Sequence, residues 1–474
     1  MTKILSAALA ICCALPLAAQ DSALAPHQQL ARDVYRQLVE INTADSAGSV
    51  TLAAEAVAER FRAAGFPAED VMLLVPDGKP TKGNLVVRYR GRGEGKPILL
   101  LAHLDVVAAL RADWSLDPFV LTEKDGYFYG RGTADDKAMA AIFVANLLRA
   151  RAAGWQPAHD VVLALTADEE GGPANGVEWL LAQHRELIDA SFAINEGGTG
   201  ALRDGRPFYQ AVQAAEKVPI TFTLTVTNRG GHSSLPRPDN AIFQLAEGLV
   251  RVRRHVFPVR LNPVTRAFFE ATAGLEEPKT AAAMRALLRN PRDTAAARLL
   301  SVSPRYNAVL RTTCTATRLA GGHANNALPQ LATATVNCRV LPGESLDSVK
   351  ATLARVVADT GIRIGEAVPR HEPPSIPSPL GAEIMEPVAA VTRELFGPRV
   401  PSVPFMSTGA TDGRFLRAAG VPTYGVSGLY GDPNDVRAHG RDERMLVKSF
   451  FDGQEFLYRL MVRLAGGAAG AGTP

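Results

Sequence analysis

The stretch "PILLLAHLDVV", residues 97–107, decides the fold. Its residues 98–102 are apolar without a break, as in a strand covered on both faces. A second such run, "DVVLALTADEE" at 160–170, follows a segment, residues 137–153, that reads as a helix closed by Gly154. Upstream, "NLVVRYRG" at 84–91 is another strand, and Leu30, Val34, Leu38, Ala54, Val57 and Phe61 recur at helical spacing. Strand, helix and strand in succession predict an α/β domain with a central, mostly parallel sheet.

Near Lys217 the pattern changes. "PITFTLTVTN" alternates like a half-exposed strand, with Thr221, Thr223, Thr225 and Thr227 on one face. A helix over 240–254, an Ala/Arg-rich and mostly solvated helical stretch to about Arg298, strands around 308–317 and 332–341, and a helix over 345–360 follow. Together they predict a smaller α+β unit, residues 216–374, inserted into a first domain formed by 21–215 and 375–474. The proline-dense "HEPPSIPSP" at 371–379 reads as the link back.

Residues 1–20 read as a secretory signal peptide. Lys3 precedes an apolar stretch too short to span a membrane, and Ala18, Ala19 and Gln20 offer a cleavage site. The expected location is therefore periplasmic or extracellular. Cys12 and Cys13 would leave with the signal; Cys314 and Cys338 remain, and the sequence leaves open whether they pair. The 474 residues, 47% hydrophobic, exclude a disordered chain. A net charge of +3 with no Lys/Arg block speaks against a nucleic-acid partner, and no apolar run is long enough for a membrane span.

Acidic residues and histidines gather at strand ends and in Gly-rich loops. In "HLD", His103 and Asp105 share one side of a strand, so a carboxylate can stand behind the imidazole and fix its tautomer. "GRGTADDKA" places Asp135 and Asp136 before a helix, where they serve either as an N-terminal cap or as metal ligands. Glu169 and Glu170 follow the strand 161–166, and Glu196 ends the apolar "FAIN"; His439 lies in the polar loop "DVRAHGRDERM". Paired carboxylates at such places are costly unless a cation neutralises them. Singly, each has an ordinary structural explanation. Jointly they form an N/O donor set that suits a pair of zinc ions sharing a carboxylate.

With "GGHSSLP", "NNALP", "RVLPG" and "TGATDGRF" in the same order, the chain resembles the family of zinc peptidases and deacylases that includes carboxypeptidase G, carboxypeptidase S, aminoacylase, acetylornithine deacetylase and succinyl-diaminopimelate desuccinylase. The match runs through nearly the whole chain after the leader; Ala138 stands where many relatives have Gly. The resemblance implies a zinc-exopeptidase-like catalytic domain with a ferredoxin-like lid and dimerisation domain. It implies His103, Asp135, Glu170, Glu196 and His439 as ligands of two Zn2+ ions, with Asp135 bridging and Co2+ or Mn2+ able to substitute. It further implies Glu169 as the general base for a bridging water, Asp105 as support for His103, His232 as a donor to the carbonyl oxygen, and a cis peptide after Asp135. Asn326 and Arg339 match substrate-contacting positions; Arg339 would suit a carboxylate.

The expected activity is a secreted zinc exopeptidase of carboxypeptidase or dipeptidase type. The alternative is an N-acyl-amino-acid deacylase using the same site. The expected partners are a small peptide or N-acyl amino acid and a second copy of the chain through the insert, with no nucleic acid. A zinc-binding protein without catalysis would have no use for Glu169 beside the metal.

Overall fold

The computed structural model describes residues 23–367 and 375–466. The leader and residues 371–374 of the expected link lie outside them. A ten-stranded mixed sheet forms the centre of the larger domain. At its middle, Val161–Thr166, Ile98–His103, Phe192–Asn195 and Thr423–Gly425 lie side by side in parallel. Antiparallel pairing enters on both flanks, where Asn84–Tyr89 joins Val161–Thr166 and Arg206–Glu216 joins Thr423–Gly425.

The unbroken apolar reading of residues 98–102 has a direct cause. Ile98, Leu100 and Ala102 enter the main core with the helices Pro26–Glu40, Lys137–Ala152 and Val447–Ala465, whereas Leu99 and Leu101 enter a second core with Val177, Leu180 and Leu416. Burying both faces demands apolar residues at both parities, so His103 stands out as the first polar side chain at the strand's end.

The insert contains a four-stranded antiparallel sheet. Its strands Val218–Thr227, Thr313–Gly321, Leu331–Val340 and Arg363–Glu366 are arranged with the fourth beside the first, then the third, then the second. The helices Ala241–Arg254 and Leu346–Val357 cover it, giving the β-α-β-β-α-β order of a ferredoxin-like unit. Phe222, Leu224 and Val226 are buried while the threonines between them are not, as the alternation predicts. Cys314 and Cys338 face each other across two strands and form a disulfide.

One expectation is corrected. The stretch after residue 254 is not mostly solvated: the helices Pro263–Thr272, Pro278–Arg289 and Thr294–Leu300 place Val264, Phe268, Phe269, Met284, Leu287 and Leu300 in the main core. Arginines on the outer face hide the apolar stripe when composition alone is read. A second, smaller correction is that residues 304–310 are helical, and the strand begins only at Thr313.

Candidate metal centre

His103, Glu169, Glu170 and Glu196 all follow from the order of the parallel strands. The strands ending at His103, Thr166 and Asn195 are neighbours, so the residues at and just after their carboxyl ends converge on one side of the sheet. Such carboxyl-end crevices are where open α/β sheets hold ligands. The loop between Tyr129 and the helix Lys137–Ala152 brings Asp135 over this edge, and the loop before Arg444–Leu446 brings His439.

Asp135 stands between the two histidines. Its Oδ1 is 3.0 Å from His103 Nε2, and its Oδ2 is 3.1 Å from His439 Nε2. Glu196 Oε1 lies 3.9 Å from His103 Nε2, and Glu170 Oε1 lies 2.9 Å from His439 Nε2. Asp135 is thus shared by two histidines, His103 with Glu196 beside it and His439 with Glu170 beside it, and the Glu170 carboxylate also lies within 4.8 Å of the donor atoms of His103 and Asp135. Glu169 sits on the His103 side, its carboxylate within 4.8 Å of the ligand atoms of His103 and Glu196. The peptide between Asp135 and Asp136 is cis.

Asp105 holds the site in two ways. Its backbone carbonyl is 3.0 Å from His103 Nδ1, which leaves Nε2 aimed at the carboxylates. Its side chain accepts the backbone N–H groups of Glu169 (3.2 Å) and Glu170 (3.0 Å). The carboxylate itself stands behind the ring, Oδ1 3.6 Å from His103 Nδ1, and also fixes the turn that carries the two glutamates.

The electrostatics call for cations. Burial pushes the carboxyls of Glu169, Glu196 and Asp136 well above the usual range. Burial also opposes ionisation of Asp135, yet hydrogen bonds from His103 and His439 outweigh it and hold that carboxyl below its usual range. Hydrogen bonds to Asp135 and Glu170 push His439 up to about 10. Asp136 Oδ2 is buried without a hydrogen-bond partner. A cluster this rich in buried carboxylate, with imidazoles between, fits hard or borderline divalent ions.

The model of peptidase family M20/M25/M40 matches residues 99–463. The chain belongs to that family. It is 29% identical over 380 residues to the human N-fatty-acyl-amino acid synthase/hydrolase PM20D1, covering 77% of this chain and 74% of that protein. It is also 29% identical over 389 residues to the probable carboxypeptidase S-like 2 of Dictyostelium discoideum, covering 80% and 74%. In fold it is similar to an M20 family metallo-carboxypeptidase from Sulfolobus solfataricus, with a TM-score of 0.68, 17% identity, and 92% and 99% of the two chains covered. Membership in this peptidase family makes the chain a metallo-hydrolase of amide bonds.

The other expected site residues of this M20 chain lie on the insert. His232 is exposed in a short strand paired with Ala327–Leu328, and its Nδ1 accepts the Ser234 N–H at 3.1 Å. Asn326 is beside it, its carbonyl accepting the Ser233 N–H at 3.0 Å. Among the described residues, no hydrogen bond or ion pair links either to the ligand cluster. Arg339 is half-buried where the insert meets the larger domain; burial, then the nearby Arg414, lowers its pKa. Among the described residues, no hydrogen bond or ion pair links Arg339 to the acidic cluster.

Sequence reading missed three supports. Lys82 is buried and bonds Asp168 at 2.6 Å, holding a residue whose φ of 61° puts the turn before Glu169 in the left-handed region. Lys82 lies outside every motif, so nothing in the sequence marks it. Asp412, within "TGATDGRF", is buried and accepts a hydrogen bond from Asn175 at 2.6 Å; burial pushes it up to about 6. Glu443, four positions after His439, is fully buried against the Asp135 loop.

Proposed function

We propose that this chain is an exported, dinuclear zinc exopeptidase that hydrolyses an amide bond next to a free C-terminal carboxylate. The observation that carries the reading is Asp135 with one oxygen toward each histidine, and Glu169 beside the shared cluster. His103, Asp135 and Glu196 would hold one ion, and His439, Asp135 and Glu170 the other. Bound zinc would polarise the amide carbonyl and lower the pKa of a water to about 7.

The chain's own groups do the rest. Glu169 takes the proton of the attacking water and passes it to the leaving nitrogen; a carboxyl lifted by burial suits both transfers. His232 donates to the carbonyl oxygen as it gains charge, once the insert closes or a second copy presents it. Arg339 receives the substrate carboxylate through its planar fork, with Asn326 beside it. A homodimer through the insert belongs to the same reading.

A second reading, release of an acyl group from an N-acyl amino acid, is favoured by the likeness to PM20D1. Both reactions cleave an amide bond beside an amino-acid carboxylate, so the same residues serve either. Export is supported by the layout of residues 1–20 and by the disulfide of Cys314 and Cys338, which an oxidising compartment preserves.

The test is chelation and restoration on a panel of dipeptides and N-acyl amino acids. Chelation should abolish hydrolysis, and zinc should restore it, with cobalt or manganese as substitutes. Full activity in metal-free protein refutes the dinuclear reading. The products, a free amino acid from dipeptides or a released acyl acid, separate the two activities.

A further inference from the structure

We propose that Glu443 is a positioning residue that fixes the ion held by Asp135, Glu170 and His439, by locking the two loops that carry Asp135 and His439 to each other. The proposal rests on the metal-centre reading above. Asp135 and Glu443 are 308 positions apart, and the strands Tyr127–Tyr129 and Arg444–Leu446 bring them together as an antiparallel pair. One loop leaves the first strand toward Asp135; the other enters the second strand from His439.

The Glu443 carboxylate fills the gap between them and is fully buried. Its Oε1 accepts the backbone N–H groups of Ala134 at 2.7 Å and Asp135 at 3.1 Å. Its Oε2 accepts the Gly132 N–H at 3.1 Å and the Arg131 guanidinium at 2.5 Å. Arg131 then reaches back to the other loop, donating to the carbonyls of Gly440 (3.1 Å) and His439 (3.4 Å). Gly132 is required here: its φ is 82°, and a Cβ would stand 2.8 Å from Val106 Cγ1.

His439 needs such an anchor more than the other ligands do. Its side chain is 54% exposed, so packing does not hold the ring, whereas His103 is buried. Its φ of 63° lies in the left-handed region, which is uncommon for a residue with a side chain. Asp442, with φ 50°, is tied to the Ser115 N–H at 2.9 Å, and Glu443 follows directly. The loop's geometry at His439 therefore depends on bonds made at its C-terminal end, and the carboxylate that makes them also grips the backbone of the shared ligand.

Glu443→Gln keeps the volume but replaces one acceptor oxygen with a donor NH2 that faces backbone N–H groups or the Arg131 guanidinium. Support from outside the ligand set is commonly worth about 10–100-fold in metal affinity. The experiment is a Zn2+ titration of metal-free protein against a chromophoric chelator, on wild type, Glu443→Gln and Arg131→Lys, with circular dichroism recorded in parallel. Expected is wild-type affinity for one Zn2+ and a 10-fold or greater loss for the other in folded Glu443→Gln, with a loss at the same ion in Arg131→Lys. A folded Glu443→Gln that holds both ions as wild type does overturns the proposal. If Glu443→Gln does not fold, Arg131→Lys decides by the same criterion. Wild type that binds fewer than two ions overturns the metal-centre reading itself, an outcome distinct from equal affinities in wild type and variant.

Discussion

Glu169 and Glu170 are adjacent carboxylates on one turn, held by the same Asp105 side chain, yet the geometry gives them different work. Glu170 is 2.9 Å from His439, on the side of Asp135 that faces that histidine. Glu169 lies on the His103 and Glu196 side, the three within 4.8 Å of one another, where His103 is already 3.0 Å from Asp135. Glu169→Gln should therefore keep both metals and lose the proton acceptor. Positioned acid–base groups contribute roughly 10^2–10^4-fold in rate. Burial of Glu169 keeps bulk water from replacing it, so the loss should fall in the upper part of that range, about 4–5.5 kcal/mol at ~1.4 kcal/mol per tenfold. Glu170→Gln removes a charged ligand and should lower metal content toward one ion per chain. The assay is elemental analysis of metal per chain together with kcat on one dipeptide. Equal metal content in the two variants, or metal loss in Glu169→Gln, refutes the assignment of base and ligand.

Arg339→Ala and Arg339→Lys should both lose most of kcat/KM, because a point charge does not replace a planar fork; wild type that cleaves a dipeptide and its C-terminal amide equally refutes this role. His232→Ala and Glu169→Ala chains should each be inactive, and their mixed dimer should regain activity, since His232 is exposed on the insert and, among the described residues, its ring bonds only Ser234; no recovery in an isolated mixed dimer means that His232 acts within its own chain. Burial, then Arg339, pushes Lys217 down to about 7, although its ammonium reaches the Arg311 carbonyl at 2.7 Å. Between pH 7 and about 10.5 the unfolded chain then holds a proton that the folded chain lacks, so wild-type stability gains with rising pH across that window, by up to ~1.4 kcal/mol per unit from this group. Urea midpoints of wild type and Lys217→Met should shift in favour of wild type from pH 6.5 to 9.5, and a constant difference refutes the buried-amine account.

The candidate ligands are legible because of where they stand. A strand buried on both faces admits no charge within its length, so His103, Glu169, Glu170 and Glu196 mark the places where three neighbouring strands end. Asp135 and His439 were legible only as members of an ordered series of motifs, since a loop aspartate or histidine has many ordinary uses. The half-solvated insert was legible from the alternation of residues 219–227, whereas the apolar stripe of the helices over residues 263–300 is hidden because Val264, Phe268 and Met284 are interleaved with alanines and with arginines that face outward.

Lys82 and Glu443 differ from the ligands in kind. Their buried charges are satisfied by partners distant in the sequence, Asp168 for one and the Asp135 loop for the other, so each looks locally like a surface residue. Burial of a charge is tolerated only where several partners converge, and that convergence is a property of the assembled loops. The two residues hold different segments of the same cluster: Lys82 the turn of Glu169, Glu443 the loop of Asp135 and, through Arg131, that of His439. The candidate donors sit at strand ends and in the loops of Asp135 and His439, while buried charges one layer behind hold those segments in place. A variant that keeps every ligand but loosens that layer should bind metal less tightly before it loses its fold, which is why Glu443 separates the two properties.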